Sequence, residues 1–155
     1  MTIKLTGERF EGQYKHGERY LGRCTLPNEE TKVGEFGIGE TLGYNSYNYR
    51  NGDLYLGQNI ADLMHGVGVY VHSNGSKYEG EFNAGERCGF CVYNSHKGDM
   101  YEGKCDGNEK EEGFWGFVRH YDRHGGVEEG YWEGNKKDGY AIYKNSEGSE
   151  FKRKY

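Results

Sequence analysis

A chain of 155 residues suits one domain or one small repeat array, which argues against a multidomain enzyme. Glycine supplies 27 residues and proline one, while aromatics reach 15% and the net charge is only −5. That mixture disfavours both a disordered chain and an ordinary aliphatic-cored globule, and leaves an ordered chain that packs rings against glycine backbone. A pI near 5.7 argues against nucleic acid, which needs a basic face. No apolar run approaches the ~18 residues of a membrane span. The start, MTIKLTGERFEG, carries no signal-peptide pattern. Cys24, Cys88, Cys91 and Cys105 are too scattered for a disulfide framework, so a reducing compartment is expected.

The predicted elements recur with a fixed period, which decides the architecture. Taking the aromatic of G-x-x-aromatic as position 0, GERFEGQYKHG places Phe10 there and TKVGEFGIGETLG places Lys32. Three ungapped copies follow from Gly52, Gly75 and Gly98, with Tyr55, Tyr78 and Tyr101 at position 0. GGVEEGYWEGNKKDG puts Glu128 there after a longer step, and GSEF opens a C-terminal stub at Phe151. Residues 1–155 thus read as one array, with repeats starting near 10, 32, 55, 78, 101 and 128 and a stub from 151.

Within a repeat, position 0, Gly at position 2 and a frequent ring at position 4 (Tyr14, Phe36, Phe82, Trp132) share one strand face. Positions 6 and 7 carry turn residues: His16-Gly17, Ile38-Gly39, Ala84-Gly85, Gly107-Asn108 and Gly134-Asn135. Positions 11 and 13 are small, and position 15 is again aromatic (Tyr47, Tyr70, Tyr93, Tyr143). With a loop of about four residues, ring 4 would face Gly 11, Gly 2 the small residue 13, and ring 0 ring 15. The opposite face would carry Glu79 and Glu81 with apolar Val67, Val69, Phe90, Val92, Tyr140 and Ile142. The expected fold is all-β: an elongated, single-layer, twisted antiparallel sheet of tandem β-hairpins, about twelve strands and on the order of 55–60 Å long.

The Y-x-G-x-F-x-x-G-x-x-x-G-x-G-x-x-Y frame resembles the MORN (membrane occupation and recognition nexus) repeat, most closely in residues 52–104 and 125–148. Lys32, Asp62 (where the turn glycine is missing) and the extra residues around Glu109–Gly113 depart from it. The resemblance implies a single-layer antiparallel ribbon. It also implies scaffold or adaptor work of the kind similar arrays perform in ciliary and cytoskeletal assemblies.

No catalytic constellation appears, so no enzyme and no cofactor are expected. Cys88-x-x-Cys91 with His120-x-x-x-His124 has the wrong spacing for a zinc finger, and no metal site is assigned. The run from Gly37 to Gly43 is one residue too long for a dinucleotide fingerprint. The basic end Lys152-Arg153-Lys154 reads as a charged strand edge rather than a lipid contact.

A ribbon with two broad faces binds along its length, so aromatic anchors are the expected contacts. Tyr14, Phe36, Phe82, Trp115 and Trp132 are the candidate partner-binding residues, joined by Tyr55, Tyr78 and Tyr101 on the same strip. A partner helix or extended segment within a larger cytoplasmic, cytoskeletal or axonemal complex is the expected occupant. The alternatives are a phosphoinositide tether, disfavoured by 25 acidic against 20 basic residues, and an accessory subunit of a separate enzyme.

Overall fold

The computed structural model describes residues 2–3, 7–37, 42–106 and 113–155. Alternating side chains and closely spaced glycines give strands throughout, and no helix occurs among the described residues. The strands are β1 (Thr2–Ile3), β2 (Arg9–Lys15), β3 (Glu18–Thr25), β4 (Thr31–Glu35), β5 (Gly43–Asn48), β6 (Leu54–Ile60), β7 (Leu63–Val71), β8 (Lys77–Asn83), β9 (Glu86–Asn94), β10 (Met100–Asp106), β11 (Gly113–Tyr121), β12 (Val127–Glu133), β13 (Lys136–Lys144) and β14 (Glu150–Lys154). They divide into two units, Met1–Ser73 with Phe82–Gly85, and Asn74–Glu81 with Glu86–Tyr155. Within each unit the strands form an open antiparallel sheet in chain order.

Positions 0 and 2 pair as the repeat frame requires. Tyr55 faces Tyr70 and Gly57 faces Gly68; Glu128 faces Tyr143 and Gly130 faces Ala141. Position 4 does not meet position 11. Asn59 lies opposite Met64 and Trp132 opposite Lys137, position 9 in both cases. The cause is the loop, which has two residues rather than four. His16-Gly17, Ala61-Asp62, Ala84-Gly85 and Gly134-Asn135 all have positive φ, the geometry that matches strand twist. A bulge beside Gly57 and beside Gly130 absorbs the surplus, and Gly66 and Gly139 (φ 63° and 70°) sit in it. The position-11 glycine therefore serves the bulge, not a ring. The turns expected at Ile38-Gly39 and Gly107-Asn108 lie outside the described residues.

Between hairpins the chain turns through a left-handed residue whose N–H bonds back three residues, at Gly52, Gly98, Gly125 and Gly148. Glu29 occupies the same place, with φ 71° and its N–H on the Leu26 carbonyl at 3.0 Å. Glu29→Gly is expected to raise stability by about 0.5–1 kcal/mol, since the left-handed penalty exceeds glycine's entropy cost. The check is a higher denaturant midpoint at unchanged slope.

The residue after that glycine latches one turn to the next. The Asp53 carboxylate accepts the Ser73 N–H (2.7 Å) and the Tyr70 hydroxyl (2.8 Å). Ser76 Oγ accepts the His96 N–H at 3.1 Å, and Asp99 accepts the Arg123 N–H at 3.3 Å. Burial penalises the Asp53 carboxylate, but these bonds outweigh it and hold its pKa below the ordinary value.

The core lies on the ring face. Tyr55 is 1% exposed, its hydroxyl donates to the Gln58 carbonyl at 2.6 Å, and a Cβ on Gly57 or Gly68 would come within 2.5 Å of it. Ring-over-glycine packing thus belongs to position 0. Three of these rings are capped edge-to-face by the position-4 ring of the following hairpin: Phe10 by Phe36 (5.5 Å), Tyr55 by Phe82 (5.2 Å) and Tyr101 by Trp132 (5.8 Å).

Where position 0 is polar, another arrangement replaces the ring couple. Glu128 is buried and holds Lys137, Arg153 (2.9 Å) and the Tyr155 hydroxyl (2.7 Å). Lys152 lies over the Tyr140 ring at 4.3 Å. The basic end is therefore spent largely on contacts within the chain, a role the strand-edge reading missed. Lys32 reaches Asp62 (3.2 Å), so two departures from the repeat frame pair with each other.

The cysteine reading is corrected at one pair. Cys91 and Cys105, on neighbouring strands β9 and β10, form a disulfide. Cys91 is at position 13 and Cys105 at position 4 of the next hairpin, which spacing alone did not bring together. Cys24 and Cys88 are free thiols.

Candidate functional site

The expected strip of partner-binding rings divides on burial. Phe36, Phe82, Tyr55 and Tyr78 are buried, Phe82 at 2% exposure, so they offer no surface to a partner. For Phe36, Tyr55 and Phe82 the reason is the contact between a position-0 ring and the next hairpin, which a single-repeat pattern cannot reveal, while Tyr78 lies over Gly80 with its hydroxyl on the Glu81 carbonyl at 2.9 Å. Tyr101 is half-buried, stacked on His120 at 4.3 Å. Trp132 is half-buried against Tyr101. Trp115 is half-buried at the β10–β11 bulge. Tyr14 is exposed, edge-on to Phe10 at 5.1 Å.

Most of the other exposed apolar side chains on the strands lie on the opposite face. In the first unit these include Leu21, Tyr44, Leu56 and Val67. In the second unit they are denser: Phe117, Tyr131, Tyr140 and Ile142 are each more than half exposed. Register explains the clustering. Phe117 sits opposite Tyr131, and their rings meet edge-on at 6.1 Å. Glu129 sits opposite both Arg119 and Ile142, and Ile142 opposite Lys152.

Phe117, Glu129, Tyr131, Tyr140, Ile142 and Lys152 line an open groove of about 480 Å³ across β11–β14, with Gly130 and Ala141 also in its lining. Its rim is charged. Arg119 pairs with Glu102 (3.2 Å) and Glu129, Lys144 pairs with Glu150 (3.8 Å), and Lys152 stands over Tyr140. Apolar walls with a polar rim suit docking of a chain segment that presents rings or methylenes. The signal was legible: Tyr140 and Ile142 are apolar at outward positions 12 and 14, where solvent alone would favour polar residues.

The remaining candidates fall elsewhere. Cys91 of the Cys-x-x-Cys pair is in the disulfide, and His120 stacks on Tyr101. Among the described residues, no three His, Cys, Asp or Glu side chains group as metal ligands. No helix of the described residues is long and apolar enough to cross a membrane.

This architecture defines an open sheet of β-hairpin repeats. Three stretches, residues 55–77, 78–100 and 129–150, match the MORN repeat. No curated protein matches the chain. Among solved structures, the fold is similar to the TCP domain of SAS-4 (dCPAP) from Drosophila melanogaster, solved in complex with a proline-rich motif of Ana2 (dSTIL). The TM-score is 0.53 at 12% identity, covering 98% of this chain and 87% of that one.

Proposed function

We propose that the chain is a non-catalytic scaffold that docks an extended, proline-rich protein segment in the groove of β11–β14. The observation that carries the reading is the joint exposure of Phe117, Tyr131, Tyr140 and Ile142 around that groove. Proline-rich segments are already extended and pack their rings on aromatic-lined grooves at low entropic cost. The partner of the similarly folded TCP domain belongs to this chemical class. Six hairpin repeats, from near 10 to the stub at 151, build the array in this reading. The left-handed turn residues Glu29, Gly52, Gly75, Gly98, Gly125 and Gly148 support that count by recurring in step with the repeats. The cytoskeletal or axonemal setting of similar arrays is the place to seek the partner.

The test is an array of proline-rich peptides beside proline-free scrambles, followed by titration of the best binder. Tyr131→Ala with Phe117→Ala is expected to weaken binding by about 2 kcal/mol or more, roughly 30-fold, while Tyr14→Ala leaves it unchanged. Preference for phosphoinositide vesicles over every peptide would favour the membrane reading instead.

A further inference from the structure

At four joins between neighbouring hairpins, position 4 of the later hairpin reaches position 0 of the earlier one. Phe36 meets Phe10, Phe82 meets Tyr55, Trp132 meets Tyr101, and the Tyr155 hydroxyl donates to Glu128 at 2.7 Å. The join between the hairpins of Tyr78 and Tyr101 is built differently. Its position 4 is Cys105, which carries no ring and is instead bonded to Cys91. Cys91 holds position 13 of the earlier hairpin, where Gly68 and Ala141 stand in two others. One cysteine thus takes the place of the ring, and its partner takes the place of a small residue.

The bridge lies on the ring face of the second unit, within the β9–β10 ladder, where Cys91 sits opposite Gly103. A Cβ on Gly80 would meet the Tyr78 hydroxyl at 2.8 Å and the Cys91 Cβ at 2.9 Å, so the bridge abuts the packing of Tyr78 on its glycine. Among the described residues it is the one disulfide, and it closes 14 residues of chain. The ring couples at other joins do not respond to thiols. This join does. Cys91 is 0% exposed and Cys105 7%, so the Cys105 sulfur is the one an external thiol reaches first.

We propose that the Cys91–Cys105 bond is a redox-operated staple, opened by a dithiol reductant, that sets how firmly β9 holds β10. A thiolate of the dithiol attacks the Cys105 sulfur, the S–S bond breaks, and Cys91 leaves as a thiolate that takes up a proton. The second thiol of the reductant then displaces Cys105 as a thiol. The chain gains two electrons and two protons, and the dithiol becomes a disulfide. With the link open, separating the two strands releases more chain freedom, so the join opens locally more often. The inference does not depend on the groove of β11–β14.

The test treats the full native chain with dithiothreitol, counts alkylated cysteines by mass, and follows amide hydrogen exchange in β9 and β10. Cys91 and Cys105 are expected to become alkylatable together, while exchange at residues 90–104 quickens by roughly tenfold or more. Reoxidation with oxidised dithiothreitol is expected to restore both. Cys91→Ala with Cys105→Phe rebuilds the ring join and is expected to exchange alike with and without reductant. Cys91→Ala with Cys105→Ala, which needs no ring to seat, is expected to match the reduced wild type under both conditions. Resistance of the bond to dithiothreitol until the chain is denatured overturns the proposal. So does unchanged exchange once both cysteines are reduced, or their alkylation before any reductant is added.

Discussion

Gly57→Val is expected to cost about 3 kcal/mol or more, enough to unfold much of the first unit near room temperature. A Cβ at Gly57 would lie 2.5 Å from the Gly68 Cα and 2.5 Å from the Tyr55 hydroxyl oxygen. The backbone of the neighbouring strand cannot retreat without breaking the ladder. Tyr55 cannot swing away without losing Phe82 and the Gln58 carbonyl. Valine's preference for strands works in the opposite direction, so a loss of stability isolates the packing from propensity. Gly80→Val is expected to follow the same course more mildly, because a Cβ there meets Tyr78 and Cys91 at 2.8 and 2.9 Å. Urea unfolding of the two variants beside the wild type measures both, and unchanged midpoints would show that the rings do not rest on glycine.

Glu128→Gln is expected to lower stability by about 2 kcal/mol at neutral pH. Removing one member of a buried ion cluster costs about 3–5 kcal/mol, and the partial exposure of Lys137 and Arg153 softens the loss. Burial opposes the Glu128 carboxylate, but Lys137, Tyr155 and Arg153 outweigh it and hold its pKa below the ordinary 4.5. A carboxyl whose folded pKa is depressed contributes stability above its unfolded pKa and loses it as pH falls through the folded one. The gap between wild type and Glu128→Gln is therefore expected to close under acid, below about pH 4. Asp53, Asp99 and Asp122 are depressed in the same direction, so the wild type itself weakens over that range. Thermal melts of both proteins across pH 2–7 test it, and a gap that persists at the acid end would contradict the ion-cluster account.

Much of the fold was legible because glycine and rings recur at fixed offsets. Tyr55 opposite Tyr70 and Gly57 opposite Gly68 follow from even spacing alone. The two-residue loop was not legible. Ala61-Asp62 takes the same positive φ without any glycine, and the compensating bulge leaves the total repeat length unchanged. Contacts between successive hairpins were hidden for a related reason. The capping of Tyr55 by Phe82 joins positions 27 residues apart on one face, a distance no single motif displays. That one omission hid the burial of Phe36, Tyr55 and Phe82, which spacing alone leaves looking exposed. The outward residues Tyr131, Tyr140 and Ile142 carried the better signal, visible as apolar side chains on a face that solvent should keep polar. Lys32 and Asp62 were legible as departures from the frame, but their pairing emerges only once the loop of one hairpin is seen over the start of another.

In the proposed scaffold the outward apolar face of the second unit, not the ring face, carries the partner. Amide chemical-shift mapping of the labelled chain with its best-binding proline-rich peptide tests this most directly. Shifts concentrated at Phe117, Tyr131, Tyr140 and Ile142, with Tyr55, Phe82 and Tyr101 unmoved, are the predicted result. Shifts concentrated at Tyr101, Trp132 and the buried rings, with the groove residues silent, would contradict it.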